Sequence, residues 1–275
     1  MKLATIRVAG QTRAVRVDAD RAVELGAADL VEVLRRPDWR ATAAAADGPA
    51  HPLDGLDYAP LVTTPEKIIC VGVNYRKHIE EMGREAPAYP TLFAKYSRAL
   101  IGAYDEIVLP AGSEAMDYEA ELALVIGTEV RNADEDEARA AIAGYSVLND
   151  VTARDWQYRT LQWLQGKTFE ATTPLGPWLV TPDEVPATGG EMSCEVDGEV
   201  MQRTDLSDIL FGPVELVSYI SKIITLAPGD VIATGTPGGV GHARKPPRYL
   251  AEGTVVTTKI EGLGECRNVC RLEKA

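Results

Sequence analysis

The chain has 275 residues, 45% hydrophobic and 25% charged, which allows one main domain with a sizeable core plus a small appendage and excludes a fibre or a disordered chain. Forty-one acidic residues against 28 basic ones give a formal net charge of −13, unsuited to nucleic-acid phosphates or anionic membrane surfaces. No apolar run reaches the ~18 residues of a membrane-spanning helix.

At the amino terminus, Lys2–Val8 and 13–17 alternate apolar and polar residues around Gly10-Gln11. They read as a β-hairpin, not as the apolar core of a signal peptide. An Ala- and Leu-rich stretch over 27–36, stopped by Pro37, predicts a helix. Residues 41–60 are poor in large apolar side chains and broken by Gly and Pro, so they read as a linker carrying an exposed His51. The chain thus divides into a small amino-terminal domain with its linker, 1–61, and a main domain, 62–275.

From Leu61 onward, apolar runs of strand length recur: KIICVGV, EIVLP, AELALVIG, YSVLND, PWLVT, MSCEVDG, DVIATG and TVVTTKIEG. Helical patterns are fewer, at 74–82, 134–143, 151–164 and 213–226. Strands without strict βαβ alternation predict an α+β fold, mainly β, with a layered mixed sheet and peripheral helices. Cys70, Cys194, Cys266 and Cys270 are scattered. They form no disulfide framework, and the 266/270 pair lacks the second pair of a zinc site. Reduced thiols point to a cytoplasmic protein.

Five segments carry chemistry. In MDYEAELALVIG the period of a strand puts Glu119 and Glu121 on one face. Two adjacent carboxylates need a cation or a proton between them, and hard oxygen ligands suit Mg²⁺ or Mn²⁺; a solvated strand edge is the plain alternative. Asp150 ends GYSVLND at a strand-to-helix junction, as a third ligand or as a helix N-cap. A helix from there places Arg154 and Gln157 on the same side. In GVNYRKHIEEMG a helix aligns Asn74, His78 and Glu81, a base and its orienting carboxylate, or else a solvated amphipathic face. QGKTFEATTP offers Lys167 to stabilise an enolate or bind a carboxylate. VIATGTPGGVG lacks the Lys-Ser/Thr pair of a P-loop and offers backbone N–H groups plus the Thr236 hydroxyl to a carboxylate, or is a plain turn.

Taken in order from Lys67 to Arg271, VGVNYRKHIEEMG, PTLFAKYSRALIG, MDYEAELALVIG, GYSVLNDVTARDWQ, GKTFEATTPLGPWLVT, the 215–241 segment ending in GTPGGVG, and IEGLG resemble the fumarylacetoacetate hydrolase family. The resemblance implies a mixed β-roll catalytic domain with a small amino-terminal domain, commonly as a homodimer. It implies Mg²⁺ or Mn²⁺ on Glu119, Glu121 and Asp150, with the 2-oxo acid end of a substrate chelating that cation. Lys167 then stabilises an enolate, and His78 and Glu81 match a dyad that activates water. Tyr75, Arg154, Gln157 and Thr236 match positions that line the pocket. The implied reaction is C–C hydrolysis of an acylpyruvate or fumarylpyruvate in aromatic-compound breakdown. Decarboxylation of oxaloacetate-like acids, or isomerisation of 2-hydroxyhepta-2,4-diene-1,7-dioate-type diacids, is the alternative on the same core. The chain departs from the family pattern at Glu170, where Asp is usual, and a structural role with altered reach is expected there.

Overall fold

The computed structural model describes residues 1–81, 83, 85–184 and 189–274; the side chain of Glu81 and the last residue of the expected 74–82 helix lie outside that set. Strands dominate, giving the expected α+β, mainly β architecture. The long sheet runs Ala50–Pro52, Arg21–Glu24, Gln11–Val17, Lys2–Val8, Thr173–Val180, Ile142–Asn149, Ala120–Ile126, Val231–Ala233, Ile68–Gly72 and Thr91–Lys95. A second sheet of five strands is built from Glu199–Asp205, Glu191–Val196, Val255–Ile260, Gly264–Leu272 and Ile107–Leu109. The amino-terminal segment joins the long sheet directly, because Lys2 pairs with Val17 on one side and with Val180 on the other.

Period-2 alternation explains where the core lies. Along Ala120–Ile126, Leu122, Leu124 and Ile126 enter one apolar cluster. Ala123 and Val125 enter another, with Leu61, Cys70, Leu148 and Leu175. Each buried Val, Leu or Ile stabilises the fold by ~1.5–3 kcal/mol, so a one-residue slip of this strand is strongly disfavoured.

Three local expectations differ from what is observed. Within 41–60, Trp39–Ala45 forms a helix rather than a linker: an Ala run has the highest helix propensity, and Trp39 and Ala43 bury one face at i, i+4. His51 is half-buried, with Nε2 2.8 Å from Glu24 Oε1. The single helix expected over 151–164 is split into a strand, Thr152–Ala153, and two short helices, Arg154–Gln157 and Leu164–Lys167. Thr152 pairs with Asp117 across a two-stranded ribbon, which removes the first turn, and Leu161 is 97% exposed, so the middle has no face to bury. No helix among the described residues is long and apolar enough to cross a membrane.

Candidate active site

The antiparallel register of the two central strands assembles the carboxylates. Ala120 faces Asn149 and Glu121 faces Leu148; one step further, the Asp150 N–H donates to the Glu119 carbonyl at 2.8 Å. Residues 31 positions apart thereby meet at the end of one ladder, and Asn149 locks the corner by accepting the Glu119 N–H at 2.9 Å. Glu119, Glu121 and Asp150 are all buried, and each offers a carboxylate oxygen within 4.8 Å of the others. Asp150 is not a helix N-cap, since the next helix starts at Arg154 behind Ala153.

Three buried cations answer these charges. Lys167 Nζ lies 2.7 Å from Glu119 Oε2 and 2.8 Å from Asp150 Oδ2. Its placement depends on Gly166: a Cβ there would lie 2.5 Å from the Gln157 nitrogen and 2.6 Å from the Ala153 carbonyl oxygen. Only glycine lets the Leu164–Lys167 turn press this closely on Arg154–Gln157. Arg154 donates from Nε to Asp117 Oδ2 at 2.8 Å and from Nη1 to Gln157 Oε1 at 2.9 Å, and its Nη2 pairs with Glu119 Oε1 at 2.6 Å. Arg154 and Gln157 thus meet at i, i+3 on one short helix, as expected, but Asp150 is joined to them by Lys167 and Glu119 and not by a shared helix face. The third cation, Lys95, is absent from the sequence reading. It ends strand Thr91–Lys95, fully buried, with Nζ 2.5 Å from Asp150 Oδ1.

The electrostatics follow from burial and pairing. Burial alone would depress the Lys167 ammonium, but Asp150 and Glu119 override it and hold the group above its ordinary range. Burial would raise Asp150, yet Lys167 and Lys95 bring it below the ordinary carboxylate range. Glu121 goes the other way: burial, then Asp150 and Glu119, push it well up. Among the described residues, the ion pairs of the three cations go to Asp117, Glu119 and Asp150, not to Glu121. Four buried carboxylates therefore face three cations, and the excess negative charge sits on the triad. A hard divalent cation with oxygen ligands fits that excess and that donor set.

The glycine-rich loop after Val231–Ala233 closes the triad from behind. Gly235 N–H donates to Glu121 Oε2 at 2.8 Å, so the carboxylate this loop holds is the protein's own. Thr236 Oγ1 donates to the Ala120 carbonyl and accepts from Gln202 Nε2, both at 2.8 Å. Gln202, buried and also unread in the sequence, accepts the Ala120 N–H at 2.9 Å and so ties strand, loop and second sheet together.

A cavity of about 340 Å³ opens over this floor. Glu119, Glu121, Arg154, Gln157, Lys167 and Thr236 line it, together with His78 from the short helix Arg76–Glu81. Phe93 and Trp163, in edge-to-face contact at 5.5 Å, form an apolar side, and Lys167 Nζ lies 5.0 Å over the Phe93 ring. Val73, at φ +59°, borders the same space, a conformation that costs a β-branched residue ~1–3 kcal/mol. Asn74 lies outside the helix expected to carry it; its side chain donates to the carbonyls of Phe211 and Thr234, pinning the segment that follows. Tyr75 is fully buried and does not line the cavity; burial, then Glu121 and Asp208, hold its phenol well above its ordinary range. Glu170, for which a structural role with altered reach is expected, is exposed and pairs with Arg98 at 3.1 Å.

Lys95 and Asp117 lie inside segments that resemble the family, but no local spacing assigns either a partner, and Gln202 lies in no motif. Asp117 alone had a signal, standing two residues before Glu119 in the acidic strand start.

Residues 67–271 match the family described as "Fumarylacetoacetate (FAA) hydrolase C-terminal". The mitochondrial oxaloacetate tautomerase Fahd2a of Rattus norvegicus is 42% identical over 241 residues, 86% of this chain and 77% of the relative. In structure, the chain is similar to the fumarylacetoacetate hydrolase of psychrophilic Exiguobacterium antarcticum (TM-score 0.90, 34% identity, 99% of this chain and 100% of that one). It is also similar to the 5-carboxymethyl-2-hydroxymuconate delta-isomerase of Mycobacterium smegmatis (TM-score 0.84, 33% identity, all of both chains). The mitochondrial designation of the rat relative lends the expectation of a cytoplasmic location no support.

Proposed function

The chain belongs to the fumarylacetoacetate hydrolase family, a family of enzymes, and from that premise we propose that it is a tautomerase of oxaloacetate, interconverting the keto and enol forms of this 2-oxo diacid. The observation that carries the reading is the Lys167 ammonium, buried beside Glu119 and Asp150 at the floor of a small cavity. The names of the rat tautomerase and the mycobacterial isomerase favour moving a proton over breaking a C–C bond. This reading stands nearer the expected alternative, decarboxylation of oxaloacetate-like acids or isomerisation of a related diacid, than acylpyruvate hydrolysis.

Mg²⁺ or Mn²⁺ would be held by Glu119, Glu121 and Asp150, and when bound it supplies positive charge that lowers the energy of an enolate. Lys167 Nζ donates to the enolate oxygen as charge gathers there. His78 takes a proton from C3 of the keto form, and the enol oxygen collects its proton from Lys167 or solvent. Arg154, through N–H groups not used by Asp117, Gln157 and Glu119, orients the carboxylate at the 2-oxo end, Thr236 holds the Ala120 carbonyl beneath it, and Phe93 and Trp163 exclude water from the reacting carbon. Hydrolysis uses the same floor and is the second reading, favoured by His78 on the cavity wall; it needs Glu81 to orient His78 toward a water.

The decay of the enol absorbance of oxaloacetate tests the proposal. With Mg²⁺ or Mn²⁺ the enzyme should accelerate it without releasing CO₂, and EDTA should abolish the effect. Glu119→Ala should lose bound metal and about 100-fold or more of the activity. Full activity in metal-free buffer would sink the reading, and pyruvate plus a free acid from an acylpyruvate would restore the hydrolytic one.

A further inference from the structure

A 2-oxo diacid has a second carboxylate remote from its chelating end, and the cavity must receive it in a protein of net charge −13. The floor is poorly suited: the charges of Arg154 and Lys167 are already balanced by Asp117, Glu119 and Asp150. His242 differs. It lines the same cavity, and its side chain has neutral partners: Tyr249 Oη, 2.8 Å from Nδ1, and the ring of Tyr158, with centroids 5.3 Å apart.

We infer that His242 is a specificity-determining residue that binds the far carboxylate of a 2-oxo diacid through Nε2. The inference rests on the tautomerase reading and names the group that selects its substrate.

Two features prepare His242 for this. Its loop is fixed to the floor by one buried carboxylate: Asp117 accepts the Gly241 N–H on Oδ1 at 2.7 Å and the His242 N–H on Oδ2 at 3.0 Å. The same Oδ2 accepts Arg154 Nε at 2.8 Å, so the backbone of His242 and the guanidinium at the floor share one anchor. Tyr249 then directs the ring. In the neutral ring its hydroxyl can donate to Nδ1, which leaves the proton on Nε2; in the imidazolium both nitrogens are donors, and Tyr249 accepts. An arriving carboxylate thus meets an Nε2–H donor in the imidazolium and in the neutral tautomer whose Nδ1 accepts from Tyr249. Tyr158, tilted 37° against the ring, restricts its rotation.

The test is calorimetric titration of the Mn²⁺-loaded protein with oxaloacetate and with pyruvate, which is oxaloacetate without its far carboxylate. The wild type should prefer oxaloacetate by roughly tenfold, the order of one charge-assisted hydrogen bond. His242→Leu should bring that ratio close to one and leave pyruvate binding unchanged. His242→Gln, which keeps a donor, should retain part of the preference, and Tyr249→Phe should lose part of it. An unchanged ratio in His242→Leu, or an equal loss for both ligands, would overturn the inference and leave the tautomerase reading standing. Binding of neither ligand by the wild type would overturn both.

Discussion

At the closed end of the cavity the charged side chains are buried and, Glu121 apart, each is answered by an opposite charge: Lys95 and Lys167 by Asp150, Lys167 and Arg154 by Glu119, Arg154 by Asp117. At the open end, His242 is exposed and Tyr158 is 60% exposed, held by one hydrogen bond and two ring contacts. Removing charges from water costs several kcal/mol per ion and is recovered only by close pairing, so the floor tolerates one arrangement. The wall has little desolvation at stake and accepts substitution. On the proposed reading, enolate chemistry belongs to the floor and the choice of substrate to the rim.

The largest effect should come from unbalancing the floor where no substrate reaches. Lys95→Met leaves Asp150 with one cation in place of two, in surroundings with no access to water. Breaking a buried pair from one side costs ~3–5 kcal/mol, and urea denaturation of the metal-free protein should show a loss of that order. A cost near zero would mean that Lys167 alone balances Asp150, and the picture of an over-determined floor would fail.

Lys95 also marks the limit of what the sequence discloses. Glu119 and Glu121 were legible because strand period alone puts them on one face, and the observed clusters on either side of Ala120–Ile126 follow that period. Asp150, Lys167, Arg154, Gln157, His78 and Thr236 were legible through motifs that keep their order along the chain, and all but Asp150 line the cavity. The partners that make the charges tolerable were not. Lys95 reaches Asp150 from 55 residues away and Gln202 reaches Ala120 from 82, distances set by sheet order and strand register, on which local pattern is silent. The same reason hid His242, whose bond to the floor runs through Asp117, 125 residues earlier.

The wall can be disturbed without removing a charge. At Gly241 an added Cβ would lie 1.9 Å from the Arg248 carbonyl oxygen and 2.7 Å from Asp117 Oδ1. Gly241→Ala must therefore push the loop off its anchor, at ~1–3 kcal/mol by the usual cost of overpacking. Calorimetry should show reduced preference for oxaloacetate over pyruvate with Mn²⁺ affinity retained, because the bonds of Glu119, Glu121 and Asp150 run to Arg154, Lys167, Lys95 and Gly235 and not to Gly241. Loss of Mn²⁺ affinity would show that the two ends are one cooperative unit.

Glu170 provides the smallest effect and the cleanest contrast. It stands three residues after Lys167, where the family pattern has a shorter acid, yet its carboxylate meets only Arg98 among the described residues, at 3.1 Å with both side chains more than 60% exposed. Exposed pairs of this kind contribute ~0.2–1 kcal/mol, screened further by salt. Glu170→Ala should therefore shift the urea midpoint slightly, less so at high salt, and leave tautomerisation within about twofold of wild type. A larger loss of activity would mean that the turn between Lys167 and Thr173 transmits Glu170 to the ammonium, and that the floor extends beyond its buried charges.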